Sequence, residues 1–258
     1  MQSGFFDSHA HYEDGRFESD RIELLGSMPG RGVFAIINVG SCIRTSKASV
    51  CLAEAFPFVY AAVGVHPHEA DSFDEESLHD LKRMCAHEKV VAIGEIGLDF
   101  HYDFSPRETQ RIVFKRQLEL AKDLNAPVIV HSREATAEAL AVLNESGVKR
   151  GVIHCFNGSL DIARRYIEMG YFIGIGGAVT FDNSKKLREA VREIPAEKIL
   201  IETDAPYQTP APRRGARNDS SLLGFTVGAI AAIKDVPAGY IADCARENAL
   251  RFIGRETV

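Results

Sequence analysis

What the chain lacks narrows the field first. It has no excess of positive charge: 30 Lys and Arg stand against 36 Asp and Glu, a net charge of −6. A protein that grips long stretches of duplex by its phosphates is usually basic, because each neutralised phosphate releases counterions and adds affinity. That mode of binding is excluded, and any nucleic acid handled here must be held locally. Cysteine is sparse as well. Cys42, Cys51, Cys85, Cys155 and Cys244 are odd in number, widely spaced and without a CxxC pair. They read as free thiols, buried as small hydrophobes in a reducing compartment, rather than as a disulfide framework or thiolate zinc site. The opening MQSGFFDSHAH has neither the basic start nor the apolar stretch of a secretory signal, and no later apolar run approaches membrane-spanning length. A cytoplasmic protein with no membrane partner is expected. Repeats, low-complexity tracts and interdomain linkers are missing too, and no exposed apolar stripe stands out, so a monomer is expected.

What remains is a chain of 258 residues, 45% hydrophobic and 26% charged, long enough to bury a large core without cross-links. Short runs rich in Val, Ile, Phe and Tyr recur along it: Phe5–His9, Val33–Val39, Phe58–Val65, Val90–Glu95, Val128–His131, Gly151–Cys155, Tyr171–Ile175 and Ile199–Asp204. Most are nearly continuous apolar stretches, as expected of parallel strands covered on both faces. Helical patterns separate them. Ser105-Pro106-Arg107-Glu108 reads as an N-cap, a first-position Pro and a capping Glu, followed by a stripe of Phe114, Leu118 and Ala121. A stripe of Ile162, Ala163, Tyr166 and Ile167 ends at Gly170, a C′ glycine. Ile241, Ala245, Asn248 and Phe252 mark a closing helix. Eight uninterrupted strand–helix alternations predict right-handed βαβ units, and a barrel of this kind spans ~250 residues. The expected fold is therefore α/β: a single-domain (β/α)8 TIM barrel over residues 1–258, with a long loop at Tyr207–Ser221 after strand 8 and closing C-terminal helices.

The polar residues fall where such barrels do chemistry. His9 and His11 close the first strand, Glu95 the fourth, His131 the fifth, His154 the sixth and Asp204 the eighth, all at carboxyl-terminal ends. The two-residue spacing of His9-Ala10-His11 puts both imidazoles on one side of an extended chain. Imidazole and carboxylate are what divalent transition ions select, and four histidines with two acids can hold two ions, with the Glu95 carboxylate suited to bridging them. HxH alone is a weak motif, and any single histidine is more often an ordinary core or surface residue; six ligand-type groups at the ends of five strands are another matter. His79, His87 and His101 read as surface residues.

The motifs DSHAH at Asp7–His11, GVHPHE at Gly64–Glu69, GEIGLDFH at Gly94–His101, PVIVHSR at Pro127–Arg133, IHCFNGS at Ile153–Ser159 and ETDAPY at Glu202–Tyr207 resemble, in order, those of the TatD family of metal-dependent deoxyribonucleases. That family belongs to the wider amidohydrolase-type barrels. The resemblance runs to ENALRFIG in the last helix. It implies that His9, His11, Glu95 and Asp204 hold one ion, that Glu95, His131 and His154 hold a second, and that the chain hydrolyses DNA, commonly from a 3′ end, with single strands or 3′ ends as its partner. The chain departs from the family in one place: Arg217-Asn218-Asp219-Ser220 stands where Arg-Asn-Glu-Pro is usual.

Two cations a few ångströms apart can activate water and clamp the attacking and leaving oxygens of a phosphodiester. Asp204 is the expected general base and Glu95 sets the separation of the ions. His66, His68 and Arg133 are placed to meet the phosphate, and Arg213, Arg214 and Arg217 form a basic patch that reads either as a solvated loop or as a substrate contact. Asp7 shares strand parity with His9 and reads as a support for it or as structural. The imidazoles favour Zn, Mn or Co over Mg, which prefers an all-oxygen shell. Competing readings are an esterase, lactonase or amidohydrolase on the same ligands, removal of a D-amino acid from tRNA, and a silent barrel used as a binding protein.

Overall fold

A computed structural model of the chain describes residues 4–255; the first three residues of the N-terminal stretch and the last three of the chain lie outside it. Its strands are β1 (Phe5–Ala10), β2 (Val33–Val39), β3 (Val59–Val63), β4 (Val90–Asp99), β5 (Val128–Arg133), β6 (Gly151–Ile153), β7 (Phe172–Ile175) and β8 (Ile199–Ile201). They form one sheet in strictly sequential order. Helices fill the connections: α1 (Arg21–Ser27), α2 (Ile43–Ala55), α3 (Glu75–Met84), α4 (Arg107–Asp123), α5 (Thr136–Ser146), α6 (Leu160–Glu168) and α7 (Lys185–Glu193). After β8 come α8 (Leu223–Lys234) and α9 (Ala238–Phe252). This is the expected (β/α)8 TIM barrel.

The chain packs as two compact units, residues 39–154 and residues up to 38 together with those from 155 onward. In the discontinuous unit β1 pairs in parallel with β2, from Phe5 beside Val33 to Ala10 beside Asn38, and β7 pairs in parallel with β8. The end of β1 also meets the segment after β8. Ala10 and Ala205 form a parallel bridge, the Asp204 N–H donates to the His9 carbonyl at 2.9 Å, and the His11 N–H donates to that of Ala205 at 2.7 Å. A sheet in sequential order whose first strand adjoins the chain beyond its last is a barrel.

The other unit carries β3 to β6 with parallel pairing of β3 on β4, β4 on β5 and β5 on β6. Its strands are buried on both faces: Ala61, Ala62, Val63, Ile93, Ile96, Leu98, Val128, Ile129 and Val130 are all essentially inaccessible. That explains their unbroken apolar character. β4 is longer than its sequence suggests, running past Glu95 to Asp99. Gly97 makes this possible. Its φ is +147°, and a Cβ there would collide with the carbonyl oxygen of His131 on β5.

The helices follow their stripes, with Phe114, Leu118 and Ala121 of α4 and Ile241, Ala245, Asn248 and Phe252 of α9 buried, and Gly170 at φ +99° just past α6. Two expectations need correction. Ser105 does not cap α4, where Pro106 is the N-cap; its hydroxyl donates to the His68 carbonyl at 3.1 Å and accepts from the Asp71 N–H at 3.1 Å. Its hydroxyl is turned toward the segment after β3 rather than toward the N–H groups of α4. The cysteines are free but not buried as small hydrophobes: Cys51 is exposed and the other four half-buried. No single helix among the described residues is long and apolar enough to cross a membrane.

Candidate metal centre

The unit of residues 39–154 gathers its chemistry around one carboxylate. Glu95 lies at the point of β4 where the chain is fully enclosed, 4% exposed. Its Oε1 is 2.7 Å from His131 Nδ1, 3.0 Å from His154 Nε2 and 3.6 Å from His66 Nε2. His131 extends from β5, His154 follows β6 directly, and His66 stands beyond β3. Burial alone would raise the Glu95 carboxyl. The charges that His154 and His66 carry when protonated, with hydrogen bonds from His131 and His154, outweigh it and hold the group well below the usual carboxylate range. The donor atoms of His66, Glu95 and His131 all lie within 4.8 Å of one another, a set that could hold a metal ion.

Asp99 forms a further layer that the sequence reading missed. Its Oδ2 faces His131 Nε2 at 3.2 Å and His68 Nε2 at 2.8 Å, while its Oδ1 accepts the backbone N–H of His101 and Tyr102. Burial works against its ionisation, but the bonds from His131, Tyr102 and His68 prevail and depress it strongly. His131 is therefore held between two carboxylates. Burial lowers it, the Asp99 and Glu95 bonds raise it, and the net direction is upward. A signal for Asp99 was present: residues 95 and 99 differ by an even number, so an unbroken strand turns both to the same face.

The discontinuous unit holds the second group. His9 and His11 emerge at the end of β1 with their Nε2 atoms 3.0 Å apart, a convergence suited to a shared cation. Asp204 Oδ1 lies 3.8 Å from His9 Nε2 and 3.6 Å from His11 Nε2. Asp204 sits three residues past β8 with φ +56°, a left-handed conformation that Asp tolerates better than most residues. The Gln208 amide approaches its other oxygen at 3.5 Å. Burial lowers His11, yet bonds and charges from Asp204 and Glu13 raise it well above the ordinary value. Metal ligation requires neutral imidazole, so a cation bound here or at His131 displaces protons.

Beneath His9 lies a buried hydroxyl network. Asp7, fully buried, accepts from the hydroxyls of Ser220 and Thr203 at 2.6 Å each and from the Thr203 N–H at 3.0 Å. Burial pushes its carboxyl up to about 7 against the pull of these bonds. The Tyr12 hydroxyl donates to Ser220 Oγ at 2.8 Å and accepts the Ser220 N–H at 2.9 Å. Ser220, at the departure from the family pattern, thus uses an N–H and a hydroxyl that proline does not have. Glu202, also fully buried, accepts the N–H of Cys155 and was likewise missed.

The remaining expected residues divide. His66 and His68 join the Glu95 and Asp99 groups, as described. Arg133 is exposed, its guanidinium carbon 4.7 Å above the Tyr102 ring. Arg217 is committed elsewhere: it donates to both carboxylate oxygens of Asp20 and to the Arg16 carbonyl, and lies 4.6 Å over Phe17. Arg213 is exposed, and Arg214 stacks on Phe181. His79 and His101 are exposed and His87 is half-buried, with His87 and His101 paired to Glu54 and Glu134.

Comparison with known proteins converges on one family. The family model described as TatD related DNase matches residues 6–254. The uncharacterized metal-dependent hydrolase YabD of Bacillus subtilis is 42% identical, covering 96% of this chain and 98% of the relative. The 3′-5′ ssDNA/RNA exonuclease TatD of Pantoea vagans is 36% identical over 95% of this chain and 97% of its own. Among solved structures, YjjV, a TatD homolog from Escherichia coli, superposes with a TM-score of 0.92 at 32% identity, covering 98% of each chain. A (β/α)8 barrel with imidazole and carboxylate groups at its strand ends, matched along nearly its whole length, belongs to the TatD family of metal-dependent hydrolases.

Proposed function

We propose that this chain hydrolyses phosphodiester bonds of DNA, removing nucleotides from the 3′ end of single strands in the cytoplasm, and works as a monomer. The observation that carries the reading is the Glu95 cluster: a buried carboxylate with the ring nitrogens of His131 and His154 at 2.7 and 3.0 Å. We assign His9, His11, Glu95 and Asp204 to one divalent cation, and Glu95, His131 and His154 to a second. The donor chemistry fits Zn, Mn or Co, with Mg as a weaker match. When bound, such cations supply Lewis-acid polarisation of the phosphoryl oxygens and make the attacking water more acidic.

The chain's own residues do the rest. Asp204 accepts the proton of the attacking water at a carboxylate oxygen, a role suited to an acid whose Oδ1 lies 3.6 Å from His11 Nε2 and 3.8 Å from His9 Nε2, beside the rings that would hold the same cation. Water oxygen bonds to phosphorus, the bond from phosphorus to the 3′-oxygen breaks, and that oxygen leaves as a hydroxyl by taking up the proton that Asp204 received. His66 and His68 line the approach to Glu95 and Asp99 and donate to the phosphate. Arg133 supplies a positive charge two residues beyond His131. Arg217 meets substrate only by releasing Asp20, which makes it a secondary contact in this reading. An acidic protein with its donors concentrated in this way suits a short strand end rather than a long duplex. Support also comes from the Pantoea relative named as a 3′-5′ ssDNA/RNA exonuclease.

The test is digestion of 3′-labelled single-stranded DNA by protein loaded with each metal in turn, beside linear duplex, closed circular DNA, simple esters, lactones and D-aminoacyl-tRNA. Release of labelled mononucleotide from the single strand is expected. Turnover of an ester, lactone or aminoacyl ester without any DNA cleavage would replace the reading.

A further inference from the structure

The loop after β4 exposes two aromatic rings that the hydrolytic reading leaves unused. Tyr102 is 48% exposed and Phe104 66%, although apolar surface of this size is ordinarily worth burying. They are not loose. Their rings stack 5.2 Å apart and within 14° of parallel. His68 meets Tyr102 at 5.4 Å and Phe104 at 4.8 Å, both edge-to-face. The loop itself is suspended from Asp99, which accepts the N–H groups of His101 and Tyr102 at 2.9 and 3.0 Å. Ser105 pins its far side to the His68 carbonyl, and Arg107 closes it onto Asp103 at 2.7 Å.

The pair stands one step from the Glu95 cluster. Asp99, which holds the loop, also bonds His131, and His68 touches Asp99 and both aromatic rings. Arg133 brings a positive charge over Tyr102 on the same rim. An ordered, exposed, parallel-stacked aromatic pair beside the Glu95 cluster and a cation has the features of a stacking surface. Its other contacts suit no buried role: among the described residues the ring partners of Phe104 are Tyr102 and His68 alone.

We propose that Tyr102 and Phe104 form a platform on which the terminal base of a single-stranded DNA stacks while its phosphate is hydrolysed. The proposal rests on the phosphodiesterase reading and adds a subsite to it. The occupant follows from chemistry: every nucleobase has a π-face, whereas a base inside a duplex already has neighbours above and below. An unpaired end can turn its base freely onto the rings, whereas the last base of a blunt duplex exposes one face but is held in its pair. The platform thus accounts for single-strand preference without any base-edge hydrogen bond, and for tolerance of sequence. Arg133, over the same ring system, takes the phosphate that the stacked base brings with it.

The experiment compares wild type with Phe104→Leu and Tyr102→Leu, substitutions at exposed positions that retain apolar volume, with thermal melting to check folding. Substrates are single-stranded oligonucleotides ending in a normal nucleotide or in an abasic one. Stacking is read independently by fluorescence quenching of a terminal 2-aminopurine, using metal-loaded Asp204→Asn protein so that the strand survives. Each Leu variant is expected to raise KM on the normal end by about 5- to 100-fold with kcat nearly unchanged, the range that loss of one aromatic–base stack gives. Each should leave the abasic substrate within about twofold of wild type and abolish the quenching. If the Leu variants cleave normal ends as wild type does and 2-aminopurine is not quenched, the platform is refuted while the nuclease reading stands. If the oligonucleotide is quenched in a Phe104-dependent way but never cleaved, the platform stands and the nuclease reading falls.

Discussion

The two groups of candidate ligands are built on different principles. Around Glu95, charge does the positioning: three imidazoles lie within 3.6 Å of one oxygen, and Asp99 grips His131 from behind. Around His9 and His11 the rings approach each other at 3.0 Å, with Asp204 Oδ1 at 3.8 and 3.6 Å from their Nε2 atoms and Glu13 at 3.5 Å from His11 Nδ1. There the Asp204 and Glu13 carboxylates act on His11, and the support beneath is uncharged: the backbone bond from Asp204 to His9 and a buried mesh of Ser220, Tyr12 and Thr203 hydroxyls around Asp7. The lesson is that the first group is its own scaffold, whereas the second needs one. Removing a member of the first disturbs charge and position together. The second separates the reacting group from what supports it, so the two functions can be broken apart.

The largest effect should therefore come from Glu95. Glu95→Ala leaves His131, His154 and His66 facing one another without their shared carboxylate. We expect loss of bound metal by elemental analysis and a fall in turnover of about 10^4-fold or more. Normal metal content in a folded Glu95→Ala protein would dissolve the contrast between the groups. Asp204→Asn is the matching change in the other unit. It keeps shape and removes the proton acceptor, so turnover should drop by about 10^2- to 10^4-fold with melting temperature unchanged. Retained nuclease activity in single-turnover kinetics would refute the assignment of Asp204.

How much of this was legible in the chain follows the same division. Strand order could be read because parallel barrel strands are apolar runs broken by polar residues, whereas Glu95, read as closing its strand, lies inside β4, and Asp204 lies three residues past β8. The approach of His131 and His154 to Glu95 follows from that order. Asp99 escaped notice because β4 was taken to stop at Glu95; only the collision that a Cβ on Gly97 would make with His131 shows how closely β4 continues along β5. The Asp7 mesh was out of reach for a different reason. Its partner Ser220 is 213 residues away, and no local pattern announces a hydroxyl recruited from the far end of the chain.

Arg133 comes next in size, and sharpens the Glu95 side of the comparison. Its side chain is exposed and enters none of the ligand bonds, so Arg133→Ala should leave metal content unchanged while raising KM for DNA by about tenfold, the loss of one charge-assisted contact. Unaltered steady-state kinetics would remove Arg133 from the substrate-binding set.

Ser220 gives the smallest and most diagnostic effect. Its hydroxyl gives one hydrogen bond to Asp7 and takes one from Tyr12, and its N–H gives a third to Tyr12, all in a fully buried setting. Ser220→Ala deletes the two hydroxyl bonds and leaves the Tyr12 and Asp7 oxygens short of a partner, at a cost of about 1–3 kcal/mol. For a chain of this size each kcal/mol lowers the melting temperature by about 2–4 °C. Ser220→Pro removes the N–H as well, so the family's usual residue should destabilise this chain at least as much as alanine does. If the mesh only supports His9, both variants should lose stability and keep most of their turnover once folded. A proline variant that melts like wild type would show that the neutral scaffold is dispensable, and the second group would then have to be positioned by its ligands alone, like the first.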